Sequence, residues 1–224
     1  MTVNGEKDGS STDFTPPVRV ESYLTSKTER QVLNRICAAL PAWMTPDRLT
    51  ALGFLGAALS GASYCAAHWS PWFLWLSSLG MLLNWFGDSL DGSVARFRKI
   101  ERPRYGYFID HSFDVINYAC IFIGIGFSPY VPMSAALFGL TGILLMHVYT
   151  LMSGHLEEDY NAVFFSLGPT ELRLVFIYLN TAMFFRGPLK WGFLGISFSP
   201  FAVGVAAIGE IGRASCRERV SSPV

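Results

Sequence analysis

Four aspartates, Asp88, Asp91, Asp110 and Asp114, interrupt stretches that are otherwise apolar. One ionised group at mid-membrane depth costs roughly 2.5–3.5 kcal/mol on the insertion scale, so four of them demand compensation. Asp88 and Asp91 are three residues apart and Asp110 and Asp114 four apart, spacings that set each pair on one face of its own helix. The connection between the two helices is short, so they are expected to run antiparallel with both acidic ends at the same level. Four carboxylates then converge on a site of formal charge about −4, and all-oxygen ligands select two divalent cations, Mg²⁺ or Mn²⁺ before zinc. Such ions suit a diphosphate substrate and its leaving oxygen. A nearby carboxylate that takes the proton of an alcohol adds typically 10²–10⁴-fold, and Asp114, one turn deeper than Asp110, is the candidate base.

A plainer reading treats the acids as helix-end carboxylates paired with Arg96, Arg98, Arg102 and Arg104. For any single aspartate it is the better reading. The joint pattern reverses this, because Gly92 and Ala95 lie between Asp91 and Arg96, and Gly106 sits four before Asp110. Small residues there let a ligand approach the helix backbone.

The elements that must carry this site follow from composition. The chain has 224 residues, 51% apolar and only 15% charged, with 17 basic against 17 acidic residues and a net charge of zero. An ordinary soluble domain is roughly 25% charged. Disorder, a collagen-like chain and a basic nucleic-acid binder are excluded, and no nucleic-acid partner is expected. No Asp, Glu, Lys or Arg occurs in residues 51–87 or 115–156. Each run has room for about two spans of about 20 residues.

The fold class expected is therefore all-α: a polytopic membrane bundle of six transmembrane helices preceded by an interfacial amphipathic helix. The spans are read as residues 49–68, 72–96, 105–127, 132–153 and 168–186, with a sixth from 191 cut short near 209. Ser70-Pro71, Ser128-Pro129 and Gly168-Pro169 separate them. Residues 1–25 read as a polar, disordered start without a signal peptide. Residues 26–47 read as the interfacial helix and its turn, with Val32, Leu33, Ile36, Ala39 and Leu40 on one face. Pro41 ends that helix, and Thr45 caps the first span. Residues 48–209 form the six-span domain. From Glu210 the chain reads EIGRASCRERVSSPV, which resembles a translated sequencing adapter and is expected to be a non-native tail. Cys37, Cys65, Cys120 and Cys216 are too scattered for a disulfide or zinc framework and read as packing residues.

Five of the nine residues 96–104 are Lys or Arg, which places that connection and the N-terminus in the cytoplasm. Glu157, Glu158 and Asp159 in a cytoplasmic connection, and Arg186 and Lys190 facing outward, pull weakly the other way.

The run Asp88-Ser-Leu-Asp91-Gly92-Ser-Val-Ala95-Arg96, then nine residues, then Gly106-Tyr-Phe-Ile-Asp110-His-Ser-Phe-Asp114, resembles the signature of the CDP-alcohol phosphatidyltransferase family. Eight fixed positions are filled, and the resemblance extends over residues 21–209. It implies that Asp88, Asp91 and Asp110 bind two metal ions and that Asp114 is the general base close to a metal. Gly92, Ala95, Arg96 and Gly106 match positions around the cytidine diphosphate moiety. Asp47 stands where many relatives carry Asn and is expected to line the nucleotide pocket. Arg173, in a Gly168-Pro169-Thr170-Glu171 helix start shared by part of the family, and Arg104 are candidates for an acceptor phosphate or anionic lipid. His111 points away from the aspartate face and His147 reads as a buried structural residue.

The implied reaction belongs to phospholipid biosynthesis. An alcohol hydroxyl attacks the phosphate that bears the lipid or alcohol group of a CDP-linked donor, with CDP-diacylglycerol favoured, and CMP leaves. Homodimers and a bacterial cytoplasmic membrane location with the site facing inward are implied by the resemblance. Two alternatives stand beside it: a choline- or ethanolamine-type phosphotransferase acting on diacylglycerol, and an intramembrane cation transporter. The acceptor stays open among glycerol 3-phosphate, inositol phosphate, serine, choline, ethanolamine and another lipid.

Overall fold

A computed structural model describes residues 33, 35–156, 169–188, 191–193, 196–199 and 201–210. The expectations for residues 1–25, the acidic connection at 157–159, Lys190 and the tail with Cys216 lie outside the described residues. Five long helices are seen: α1 (Pro46–Ala66), α2 (Phe73–Phe97), α3 (Pro103–Gly126), α4 (Met133–Leu156) and α5 (Pro169–Arg186). Their ends fall within three residues of the expected spans, because prolines mark nearly every start. Pro46, Pro103 and Pro169 occupy first turns, where a missing N–H costs nothing. Thr45 Oγ1 accepts the Arg48 N–H and caps α1 as expected. Two helices, α1 and α3, are long and apolar enough by themselves to cross a bilayer.

The sixth element departs from expectation. Instead of a span from residue 191, the backbone forms an antiparallel hairpin of β1 (Trp191–Phe193) and β2 (Ile196–Phe198), with Trp191 opposite Phe198. A helix α6 (Phe201–Glu210) follows. At 1.5 Å per residue α6 is about 15 Å long, half the thickness of a hydrocarbon core. Short apolar runs fit strand and helix alike, and Gly192 and Gly195 break this one.

Glycines set how closely the site-bearing helices approach. A Cβ on Gly56 of α1 would lie 2.5 Å from the Asn84 nitrogen and 2.6 Å from the Gly80 carbonyl oxygen of α2. The two backbones touch, as small residues allow at membrane helix interfaces. Buried polar pairs add to this contact: Ser60 with Ser77 at 2.8 Å, Tyr64 donating to Asn180 of α5 at 2.7 Å, and Asn180 to Ser78 at 3.0 Å.

The amphipathic segment before α1 packs inward through Leu33, Ile36, Cys37 and Leu40, against Leu49, Leu90 and Val94. Ala39, expected on that face, is exposed. Burial raises the Cys37 thiol pKa, in keeping with its packing role. Cys120 is half-buried, while Cys65 is exposed on α1 and is not the packing residue expected.

Beyond α2 the chain turns through a left-handed residue, Lys99, at φ 56°. Ile100 donates to the Ala95 carbonyl and Lys99 to that of Arg96, the paired bonds of a Schellman end made without glycine. Arg98 donates to four carbonyls, of Leu40, Pro41, Ala42 and Met44, at 2.7–3.3 Å. The turn before α1 is thereby tied to the end of α2.

Candidate metal and nucleotide site

The C-terminal half of α2 carries Asp88 and Asp91, and the N-terminal half of α3 carries Asp110 and, at its middle, Asp114. Asp91 couples electrostatically to Asp88 on its own helix and to Asp110 on the next. All four side chains are partly buried.

Each α2 carboxylate has a specific partner. Thr50 of α1 donates its hydroxyl to Asp91 Oδ2 at 2.7 Å, and the Gly92 N–H donates to Asp91 Oδ1 at 2.6 Å. Asp88 Oδ2 accepts from Arg173 of α5 at 2.7 Å. Arg173 also donates through Nε to Asn84 Oδ1 at 2.8 Å, and Asn84 donates to the Gly53 carbonyl at 2.9 Å. One chain of bonds thus runs from α5 through α2 to α1. Arg173 also interacts with the charge of Asp114.

The basic residues that the plainer reading would pair with the acids are partly committed elsewhere. Arg98 is held by the four carbonyls, and Arg102 pairs with Asp47 at 2.7 and 2.9 Å. Both partners of that pair are more than half exposed, and the hydrogen bond raises the guanidinium pKa further. Arg102 also lies over the Tyr105 ring at 4.5 Å. Arg96 is exposed and reaches back to Ser93 at 3.4 Å. Its guanidinium lies across Gly92, where a Cβ would meet it at 3.4 Å. A Cβ on Gly106 would meet nothing within 4 Å, and Ala95 is half-buried beside Val94. His111 bonds the Tyr107 carbonyl at 2.8 Å, and its ring lies 5.4 Å from that of His147, tilted by 50°.

Among the described residues no three His, Cys, Asp or Glu side chains are grouped tightly enough to close around an ion. The acids share a region rather than a ligand shell. Their chemistry nonetheless fits hard divalent cations. The donors are all carboxylate oxygens, and among the described residues the buried guanidinium beside them is that of Arg173.

Thr50 and Asn84 were not singled out from the sequence. Each is a polar residue in or beside a charge-free run, which is the one signal that could have found them. Their partners are 41 and 89 residues away along the chain.

A family model described as CDP-alcohol phosphatidyltransferase matches residues 40–204. The chain is also similar to the phosphatidylinositol phosphate synthase of Cutibacterium acnes, 37% identical over 97 residues. That match covers 42% of this chain and 44% of the relative, so it spans less than half of the relative's length.

Proposed function

The chain belongs to the CDP-alcohol phosphatidyltransferase family, and from that premise we propose that it transfers a phosphatidyl group from CDP-diacylglycerol to an alcohol hydroxyl, releasing CMP. The placement that carries the reading is that of Asp88 and Asp91 in the C-terminal half of α2 and of Asp110 and Asp114 in the N-terminal half of α3, with Asp91 held by Thr50 and the Gly92 N–H. The relative's name, phosphatidylinositol phosphate synthase, supports phosphatidyl transfer and puts inositol phosphate first among the acceptors to test.

Asp88, Asp91, Asp110 and Asp114 are the residues that would hold two Mg²⁺ or Mn²⁺ ions. When bound, the ions supply positive charge to the diphosphate and to the oxygen on which CMP departs. The chain's own groups do the rest. Thr50 and the Gly92 N–H fix the orientation of Asp91. Asp114 takes the proton of the acceptor hydroxyl as its oxygen bonds to phosphorus and the bond from phosphorus to the CMP oxygen breaks. Gly92, Ala95 and the open flank of Gly106 leave room for the nucleotide, with Arg96 in reach of its phosphates. Asp47 and Arg102 stand at the rim. Arg173 and Arg104 supply cationic charge for an acceptor phosphate.

The membrane reading draws on burial turned inside out. Leu55, Leu79, Leu82, Ile123, Leu145 and Val203 are exposed along the helices, as lipid-facing residues are. Trp69 and Trp72 are exposed at one end and Trp43 and Tyr105 at the other, separated by α1, which at 21 residues is about 30 Å long. A bundle embedded in a membrane accounts for this distribution; a bacterial cytoplasmic location with the acidic residues inward, and paired subunits, are further parts of the proposal. The described part of α6, Phe201–Glu210, is too short to span by itself.

The test is product analysis by mass spectrometry. Purified protein in detergent receives CDP-diacylglycerol, Mg²⁺ or Mn²⁺ and a panel of alcohols that includes inositol phosphate. A phosphatidylated product with equimolar CMP is expected. CMP release only from CDP-choline or CDP-ethanolamine with diacylglycerol would reverse donor and acceptor, and no release from any CDP donor would overturn the reading.

A further inference from the structure

Arg173 is 8% exposed, so its charge is held inside the protein and needs fixed partners. Its planar fork supplies them in two directions, Nε to Asn84 and one terminal nitrogen to Asp88. Lysine, a point charge, could not bond both in this geometry. Asn84, 1% exposed and anchored to the Gly53 carbonyl where α1 and α2 touch, cannot easily move aside.

We propose that Arg173 is the built-in counter-cation of Asp88 and competes with a divalent metal for that carboxylate, with Asn84 as the positioning residue that holds the guanidinium in place. The inference rests on the metal reading given under the proposed function and goes beyond it. A cation that enters at Asp88 meets a bond already made at 2.7 Å and a positive charge beside it. A small cavity beside the guanidinium is lined by Asn84, Asp114, Asn117 and Phe176. The Asn117 Oδ1 atom there is buried and has no hydrogen-bond partner among the described residues. It is an acceptor a released guanidinium can use. Metal entry and release of Arg173 toward Asp114 are then one event, which makes the arginine available to an anionic acceptor only once metal is bound.

The experiment is a titration of the purified full-length chain with MnCl₂, read by the electron paramagnetic resonance signal of free Mn²⁺. Arg173→Gln is expected to bind Mn²⁺ about tenfold more tightly than wild type, the scale of one coupled charge interaction. In an Asp88→Asn background the same substitution is expected to change affinity by less than about twofold, since the carboxylate in contention is gone. Arg173→Lys keeps the charge but loses the Asn84 anchor, and is expected to bind Mn²⁺ more tightly than wild type by a smaller factor. A merely structural arginine predicts the opposite sign, because loosening the site weakens binding. Equal or weaker binding by Arg173→Gln overturns the inference, and where that variant does not fold, Arg173→Lys decides by the same criterion. Wild-type protein that binds no Mn²⁺ overturns the metal reading itself, which distinguishes the two failures.

Discussion

The two halves of the acidic site are built differently. On the α2 side the helix backbone touches α1, Asp91 has a hydroxyl and an N–H donor, and Asp88 has a buried arginine. On the α3 side every residue from Glu101 to Gly106 is exposed, and Gly106 faces open space. Half of the apolar stretch of α1 is buried, but only 28% of that of α3. The difference teaches where precision is needed. Asp88 and Asp91 have fixed donors from neighbouring elements, and under the proposed function the exposed first turn of α3 is the flank by which the nucleotide enters.

The comparison can be broken at several points. The largest effect is expected for Asp114→Asn, which should lower kcat by about 10²–10⁴-fold while leaving the melting temperature near wild type. CMP release at saturating donor measures it, and full activity would remove Asp114 from the role of base. Next comes the packed side. Gly56→Ala forces a methyl into the α2 backbone and should cost about 1–3 kcal/mol, seen as a lower melting temperature. Thr50→Val keeps the shape but removes the donor to Asp91, and activity should fall about tenfold, on the scale of a hydrogen bond to a charged group. Gly106→Ala tests the open side. Its melting temperature should match wild type, while KM for the CDP-linked donor rises by about threefold, the scale of a modest steric loss in a pocket. Should Gly106→Ala destabilise as Gly56→Ala does, the contrast between the halves is wrong. The smallest effect is expected at Lys99, where Lys99→Gly should stabilise the left-handed helix end by about 1 kcal/mol.

Much of this was legible in the residues. Prolines at 46, 71, 103 and 169 bounded the apolar runs, so five helices could be placed within a few residues. The acid spacing put each pair on one face of its own helix because helical geometry allows little else. The partners were not legible. Asp91 finds Thr50, and Arg173 finds Asn84, through bonds between helices distant in sequence, and no local period encodes them. The plainer reading, in which the 96–104 arginines pair with the acids, does not hold for Arg98 and Arg102, whose guanidiniums are taken by backbone carbonyls and by Asp47. The hairpin at 191–198 was missed because an apolar run of that length has no decisive periodicity.

The four carbonyls gathered by Arg98 carry a consequence for the order of biosynthesis. Leu40, Pro41, Ala42 and Met44 leave the ribosome 54 to 58 residues before the arginine that fixes them. At about 5–20 residues per second, the entry turn waits about 3–12 seconds for its clasp. The amphipathic segment can therefore be locked against the bundle only after the first helical hairpin has been synthesised in full.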